Sequence, residues 1–298
     1  MRVSYSDGYY APIPNEHIFP MHKFDGLYQY VIDKGIIDQS CIVEPSMVDI
    51  AYLMMVHTQR YINGILKGNL EYNEARRLGL PWSLGLARRS RLAVQGTINA
   101  ALMALQDGIS GNLAGGTHHS FPDRGEGFCV FNDVAVAIRV LKKSMWINKA
   151  MVIDCDVHQG NGTASFFENN SDVYTFSVHG EKNYPFKKPP SSYDLGLPDK
   201  TEDKSYIQAL GDSLDHIFNE FQPDIVFYLG GIDILKSDHF GRLNVSIDGL
   251  INRDRMVIER VHKKNIPLVL LLSGGYAPTL KETVEAHSHM FKIAAEFV

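Results

Sequence analysis

Residues 150–162 read AMVIDCDVHQGNG, and the order of residue types within this stretch decides the fold. The apolar run Ala150 to Ile153 has the length and composition of a strand buried on both faces, as strands of parallel sheets are. It leads into Asp154, Asp156 and His158, one at every second position. Side chains alternate along a strand, so these three start out on one side. Two carboxylates at the end of a core strand are costly to desolvate unless something positive sits among them. A divalent metal is the simplest answer. A solvated strand end with an incidental histidine is the plainer alternative.

Outward from this strand, strand and helix signals alternate. Ile109 to Ala114 reads as a short strand ending in Gly115-Gly116. A helix follows from Asn132 or Asp133 to about Lys142, with Val134, Ile138 and Leu141 on one face. Beyond 150–156, Thr163 to Glu168 reads as helix and Val173 to His179 as strand. Lys204 to Phe221 is amphipathic, with Ile207, Leu210, Leu214, Ile217 and Phe221 at helical spacing, and Pro223 stops it. A strand over 224–229, a helix over about 248–264, a strand over 267–272 and a helix from about Thr279 to Phe297 complete the series. The first hundred residues are more helical, with long candidates at 46–67 and 90–106. This order predicts an α/β fold: one domain over 1–298, with a parallel sheet covered by helices on both faces in three α/β/α layers.

Bulk composition agrees and excludes several classes. The 298 residues are 45% hydrophobic and 21% charged, as expected of a soluble globular chain. A net charge of −5 gives no general basic field for nucleic acid. Three cysteines, Cys41, Cys129 and Cys155, without a CxxC pair argue against a disulfide framework or a cysteine zinc finger. The N-terminus has no signal-peptide core and no apolar run approaches membrane-spanning length, so the expected location is the cytoplasm. Oligomeric state is not legible.

In sheets of this kind, sites form at the carboxyl ends of the strands. Five such ends carry unusual residues: Gly115-Gly116-Thr117-His118-His119, then Asp154/Asp156/His158, Ser177-Val178-His179, Gly230-Gly231-Ile232-Asp233, and Ser273-Gly274-Gly275-Tyr276. Asp156, His158 and Asp233 offer two carboxylates and one imidazole. Three protein ligands with an open position is the pattern of a catalytic zinc site, and Fe(II) accepts the same donors. The pair His118-His119 offers a general base and an electrostatic partner. Tyr276 offers a phenol to a developing oxyanion. Gly127-Phe128-Cys129 and Tyr184 offer walls for a narrow pocket. Taken singly, each has an ordinary use: a turn or helix cap for Asp233, a packed pair for the histidines, core packing for the aromatics.

Taken together, GGTHHS (115–120), GFCVFND (127–133), DCDVHQGNG (154–162), the GGID element ending at Asp233, and SGGY (273–276) resemble the zinc-dependent histone deacetylase family of the arginase/deacetylase fold. Weaker similarity covers FPMHKFD (19–25) and RRLGLPWS (76–83), and the small class IV-like and bacterial members are the most similar in flavour. The resemblance implies that Asp156, His158 and Asp233 hold zinc. It implies His119 as general base and His118 as the neighbour that tunes the electrostatics, with Asp154 behind His118. Tyr276 would polarise the acyl carbonyl. Asp154 and Ser177 would hold a monovalent cation such as K+. Gly127, Phe128, Tyr184 and Gly275 would contact substrate, an acylated lysine of a protein or peptide or a small acylated amine. Behind His119, some classes carry a carboxylate where this chain has Asn161, which orients the ring with less charge. The arginase branch needs a second aspartate two residues beyond the histidine; Gly160 stands there. The long early insertion of polyamine deacetylases is absent, and acyl length stays open. Tyr72, Glu74 and Arg76 are candidates for the rim.

Overall fold

Eight strands form one sheet in the computed structural model, which describes residues 1–298. In chain order the elements are β1 (Val3–Ser4), α1 (Lys23–Asp33), β2 (Ile42–Val43), α2 (Ile50–Leu53), α3 (Gln59–Lys67), α4 (Tyr72–Leu78), α5 (Leu84–Asp107), β3 (Ile109–Asn112), α6 (Asp133–Lys143), β4 (Ala150–Asp154), α7 (Asn161–Phe167), β5 (Val173–Gly180), β6 (Tyr193–Leu197), α8 (Asp203–Glu220), β7 (Ile225–Leu229), α9 (Ile247–Lys263), β8 (Leu268–Leu271) and α10 (Leu280–Ala294). Every strand pair is parallel, in the order β2-β1-β3-β8-β7-β4-β5-β6. Helices α2, α3, α5, α6 and α7 pack together over one face, and α1, α8, α9 and α10 over the other. The strands β4, β7 and β8 are therefore covered on both sides, and each of their residues is buried. The three-layer α/β/α reading of the sequence holds.

Several boundaries differ from the sequence expectation. The helix expected over 46–67 is two helices. Asp49 caps α2 by accepting from the Ala51 amide, and Thr58 starts α3 anew by accepting from the Tyr61 amide. Between them His57 is drawn inward, its Nδ1 2.9 Å from the Phe121 carbonyl and its Nε2 accepting from the Asn132 amide. Helix α5 begins earlier than 90 because the Ser83 hydroxyl accepts from the Leu86 amide. The edge strands β1 and β2 are two residues each, too short for any periodicity to mark them. The strand expected to reach 156 leaves the ladder at Asp154. That ends the alternation that would have put Asp154, Asp156 and His158 on one face.

The strand order positions the site. β3, β8, β7 and β4 are neighbours, although the chain visits them in the order β3, β4, β7, β8. Their carboxyl ends bring Gly115–His119, Ser273–Tyr276, Gly230–Asp233 and Asp154–His158 side by side.

Candidate active site

Asp156, His158 and Asp233 converge, with one ligand-capable atom from each lying within 4.8 Å of the others. Each carboxylate is held by its own donors. Asp156 Oδ2 accepts from the Ser273 hydroxyl at 2.8 Å and the Gly274 amide at 2.7 Å, and Asp233 Oδ1 accepts from the Val157 amide at 2.9 Å. This leaves Asp156 Oδ1 and Asp233 Oδ2 facing His158 Nδ1 at 3.1 and 3.2 Å. Close approach needs glycine: a Cβ on Gly231 would stand 2.7 Å from Asp156 Oδ2. Burial, with Asp156 beside it, pushes the Asp233 carboxyl up to about 7. Burial also works against charge on His158, but its hydrogen bonds to both aspartates outweigh that and lift it to about 10. The three residues together demand a positive charge at the point they share. Two carboxylate oxygens and one imidazole nitrogen fit a zinc or ferrous ion in that role.

The adjacent histidines are driven in opposite directions. His118 Nδ1 lies 2.7 Å from Asp154 Oδ2, and both side chains are buried. Burial disfavours the charged ring, yet Asp154 and Asp156 outweigh it and hold His118 up to about 9. His119 Nδ1 lies 2.6 Å from Asn161 Oδ1, which also accepts from the Gly162 amide at 3.0 Å. The Asn161 oxygen therefore receives the Nδ1 proton of His119, leaving Nε2 as the lone-pair nitrogen. Burial and the neighbouring charges of His118 and His158 keep His119 well below the usual imidazole value. Two adjoining rings, 4.1 Å between centroids and tilted 47° to each other, are thus set one protonated and one neutral.

These groups line a cavity of about 410 Å³. Gly127 and Phe128 turn through positive φ, 52° and 67°, bringing the Gly127 backbone against the His119 ring. Tyr184 stands edge-on to His119 at 5.1 Å and donates to Glu126 Oε2 at 2.7 Å. Tyr276 packs against Phe128 and Phe240, its amide donating to Asp238 Oδ2 at 2.7 Å. Burial raises its phenol well above the ordinary value, so it stays protonated as a donor.

Of the residues singled out from sequence, the cavity gathers His118, His119, Asp156, His158, Asp233, Gly127, Phe128, Tyr184 and Tyr276. Asp154 and Asn161 stand one layer behind, each on a histidine. Ser177 is opposite Asp154 in the β4–β5 ladder, its hydroxyl 3.0 Å from His179 Nδ1, away from the cavity. Gly275 does not line the cavity. At a φ of +153°, its Cα side faces Ile232 and His287. From α4 and the turn after it, the wall takes Arg77, Leu78 and Gly79, not Tyr72, Glu74 or Arg76. Glu74 is instead tied to Arg60 at 2.6 Å. Sequence reading missed Lys23 and Arg89, both buried and lining the cavity with Phe19 and Phe24. Burial and the charge of Arg89 bring the Lys23 ammonium down to about 8. The available signal was a lysine inside the apolar stretch 19–24 and an arginine on the buried side of α5.

Comparison with known proteins places the chain in one family and its fold beside solved structures. The histone deacetylase domain matches residues 17–291. The chain is 39% identical over 294 residues to an uncharacterized protein of Picosynechococcus, covering 99% of this chain and 98% of that one. It is 31% identical over 286 residues to histone deacetylase 2 of Arabidopsis thaliana, covering 92% and 74%. Its fold superposes on the crystal structure of an HDAC homolog complexed with SAHA with a TM-score of 0.85 at 23% identity, covering 100% of this chain and 84% of that one.

Proposed function

The chain belongs to the histone deacetylase family, and from that premise we propose that it is a metal-dependent amidohydrolase that removes acetyl or related acyl groups from lysine side chains or similar amines. Deacetylase family membership already makes it a hydrolase of acetyl amides. The observation that carries the finer reading is the convergence of Asp156, His158 and Asp233 within 4.8 Å at a cavity shared with His119 and Tyr276. Those three residues would hold Zn2+ or Fe2+, which would supply Lewis acidity for the amide carbonyl and a lowered pKa for attacking water.

The remaining work falls to the protein's own groups. His119 Nε2, kept neutral, accepts the proton of the attacking water. The Tyr276 phenol donates to the amide oxygen as negative charge grows on it. His118, held protonated by Asp154, keeps positive charge beside the reacting centre, and the histidine pair returns a proton to the departing amine nitrogen. Phe128 and Tyr184 flank the acyl-lysine stem. Asp154 and Ser177 are the proposed monovalent-cation ligands. Lys23 and Arg89 share the cavity wall with the apolar Phe19, Phe24 and Leu78.

The test is steady-state hydrolysis by metal-analysed protein on one lysine peptide carrying acetyl, trifluoroacetyl, octanoyl or myristoyl groups, with acetylated polyamines alongside. The reading expects turnover that follows zinc or iron occupancy and disappears in Asp156→Ala and His119→Ala. Metal-loaded protein inactive on the whole panel would refute it and point to a silent acyl-lysine binding module.

A further inference from the structure

Behind the metal-facing loops lies a buried arginine with no part in the chemistry above. Arg253 of α9 is fully buried. Its Nη1 donates to two backbone carbonyls, Gly231 at 2.5 Å and Cys155 at 3.3 Å. Cys155 sits between Asp154 and Asp156, and Gly231 lies two residues before Asp233. The two carbonyls therefore belong to the separate strand ends that deliver the two carboxylates. The rest of the guanidinium is oriented by Asp254, whose Oδ1 accepts from Nε at 3.0 Å and Nη2 at 2.7 Å. That same oxygen accepts from the Tyr228 hydroxyl of β7 at 2.5 Å.

The sheet does not set the spacing of these loops unaided. The β4–β7 ladder ends at the pair Asp154–Leu229, and the Cys155 amide makes the last backbone link, to the Leu229 carbonyl at 3.0 Å. Past that point no backbone hydrogen bond joins the two strand ends. They are tied again by the Val157 amide on Asp233 from the front and by Arg253 from behind. The hold is tight, because Gly231 packs directly against the Asp156 carboxylate. A shift of its peptide unit is passed to the ligand.

We infer that Arg253 is a positioning residue for the metal site, clamping the β4 and β7 loop ends so that Asp156 and Asp233 keep the separation a metal requires. The inference rests on the metal reading of Asp156, His158 and Asp233. Groups that orient metal ligands without touching the ion typically change metal affinity or activity by 10–100-fold when removed.

The test uses the full chain stripped of metal, with Zn2+ affinity measured by competition with a chromophoric chelator and site geometry by the visible spectrum of the Co2+-loaded protein. The variant R253M/D254N removes both buried charges while keeping an acceptor for Tyr228. R253K keeps the charge but replaces the fork with a single ammonium. Far-UV circular dichroism and the metal-free Tm report folding. The expected result is folded protein in which Zn2+ affinity falls at least 10-fold and the Co2+ bands shift. A folded variant with wild-type affinity and spectrum overturns the inference alone. Failure of both variants to fold also overturns it, since Arg253 would then serve the core and not the site. Wild-type protein that takes up neither ion, or an Asp156→Ala variant that binds as tightly as wild type, overturns the metal reading and this inference with it.

Discussion

Replacing Asn161 with aspartate should move the acidic limb of the pH–rate profile to higher pH. His119 Nδ1 is 2.6 Å from Asn161 Oδ1 and is held well below the usual imidazole value, chiefly by burial. The neighbouring His118, 2.7 Å from the Asp154 carboxylate, is lifted to about 9 in an equally buried setting. In Asn161→Asp a unit negative charge would stand about 4 Å from the imidazolium centre. At an effective dielectric of about 20 that is worth roughly 4 kcal/mol, or about 3 pKa units. Desolvating the new carboxylate takes back part of this, although the Gly162 amide that now donates to Asn161 Oδ1 would favour its ionised form. A net rise of about one to two units remains. The sign follows from the role of the base: His119 works unprotonated, so a higher pKa leaves less active enzyme on the acid side and the acidic limb of kcat/KM moves up. The assay is kcat/KM against pH for wild type and variant on the same acetyl-lysine peptide. A limb at the same pH in both proteins would refute His119 as the titrating base or the Asn161 contact as its tuner.

Tyr276→Phe should lower kcat by about 10²–10³, the usual cost of one lost oxyanion donor, with metal content by elemental analysis unchanged; wild-type turnover would remove the phenol from the scheme. Asp156→Ala should lose both bound metal and turnover, since it deletes the carboxylate that Ser273 and Gly274 orient, and EDTA should abolish wild-type activity in parallel. Gly127→Ala places a Cβ 2.7 Å from His119 Cδ2 at a φ of +52°. The backbone strain costs about 1–3 kcal/mol, so Tm should fall and kcat should drop more than tenfold while Zn2+ affinity stays. An unchanged kcat would show that the His119 ring is not held by this wall.

Local sequence determined the elements wherever a buried face repeats. The apolar runs at 150–153, 225–229 and 268–271 are strands because a parallel sheet covered on both faces leaves them nothing polar to expose. The helical spacing of 210, 214 and 217 likewise becomes the buried side of α8, with Ile207 half-buried at its edge. The chemistry was legible for the same reason: His118, His119, Asp156, His158, Asp233 and Tyr276 follow strands or glycine turns, where a polar group lacks an obvious structural purpose. Two-residue edge strands carried too little pattern to read, and the break at 54–58 depends on His57 bonding residues more than sixty positions away.

Only the tertiary structure decided which groups meet. Nothing local orders β8 and β7 between β3 and β4, yet that order brings Asp233 onto His158 and Asp156. The exit of the chain from β4 at Asp154 separates residues that alternation would have kept together, with Asp154 on His118 while Asp156 and His158 face the cavity. Arg253 reads locally as an ordinary surface charge, Lys23 and Arg89 carry only the weak signal of apolar neighbours, and the packing of distant helices buries all three. Periodicity along a chain records which side of an element is dry. Burial of a charge, the state of a histidine and the spacing of ligands depend on neighbours brought from elsewhere in the sequence, because electrostatics and hydrogen bonding act through space, not along the backbone.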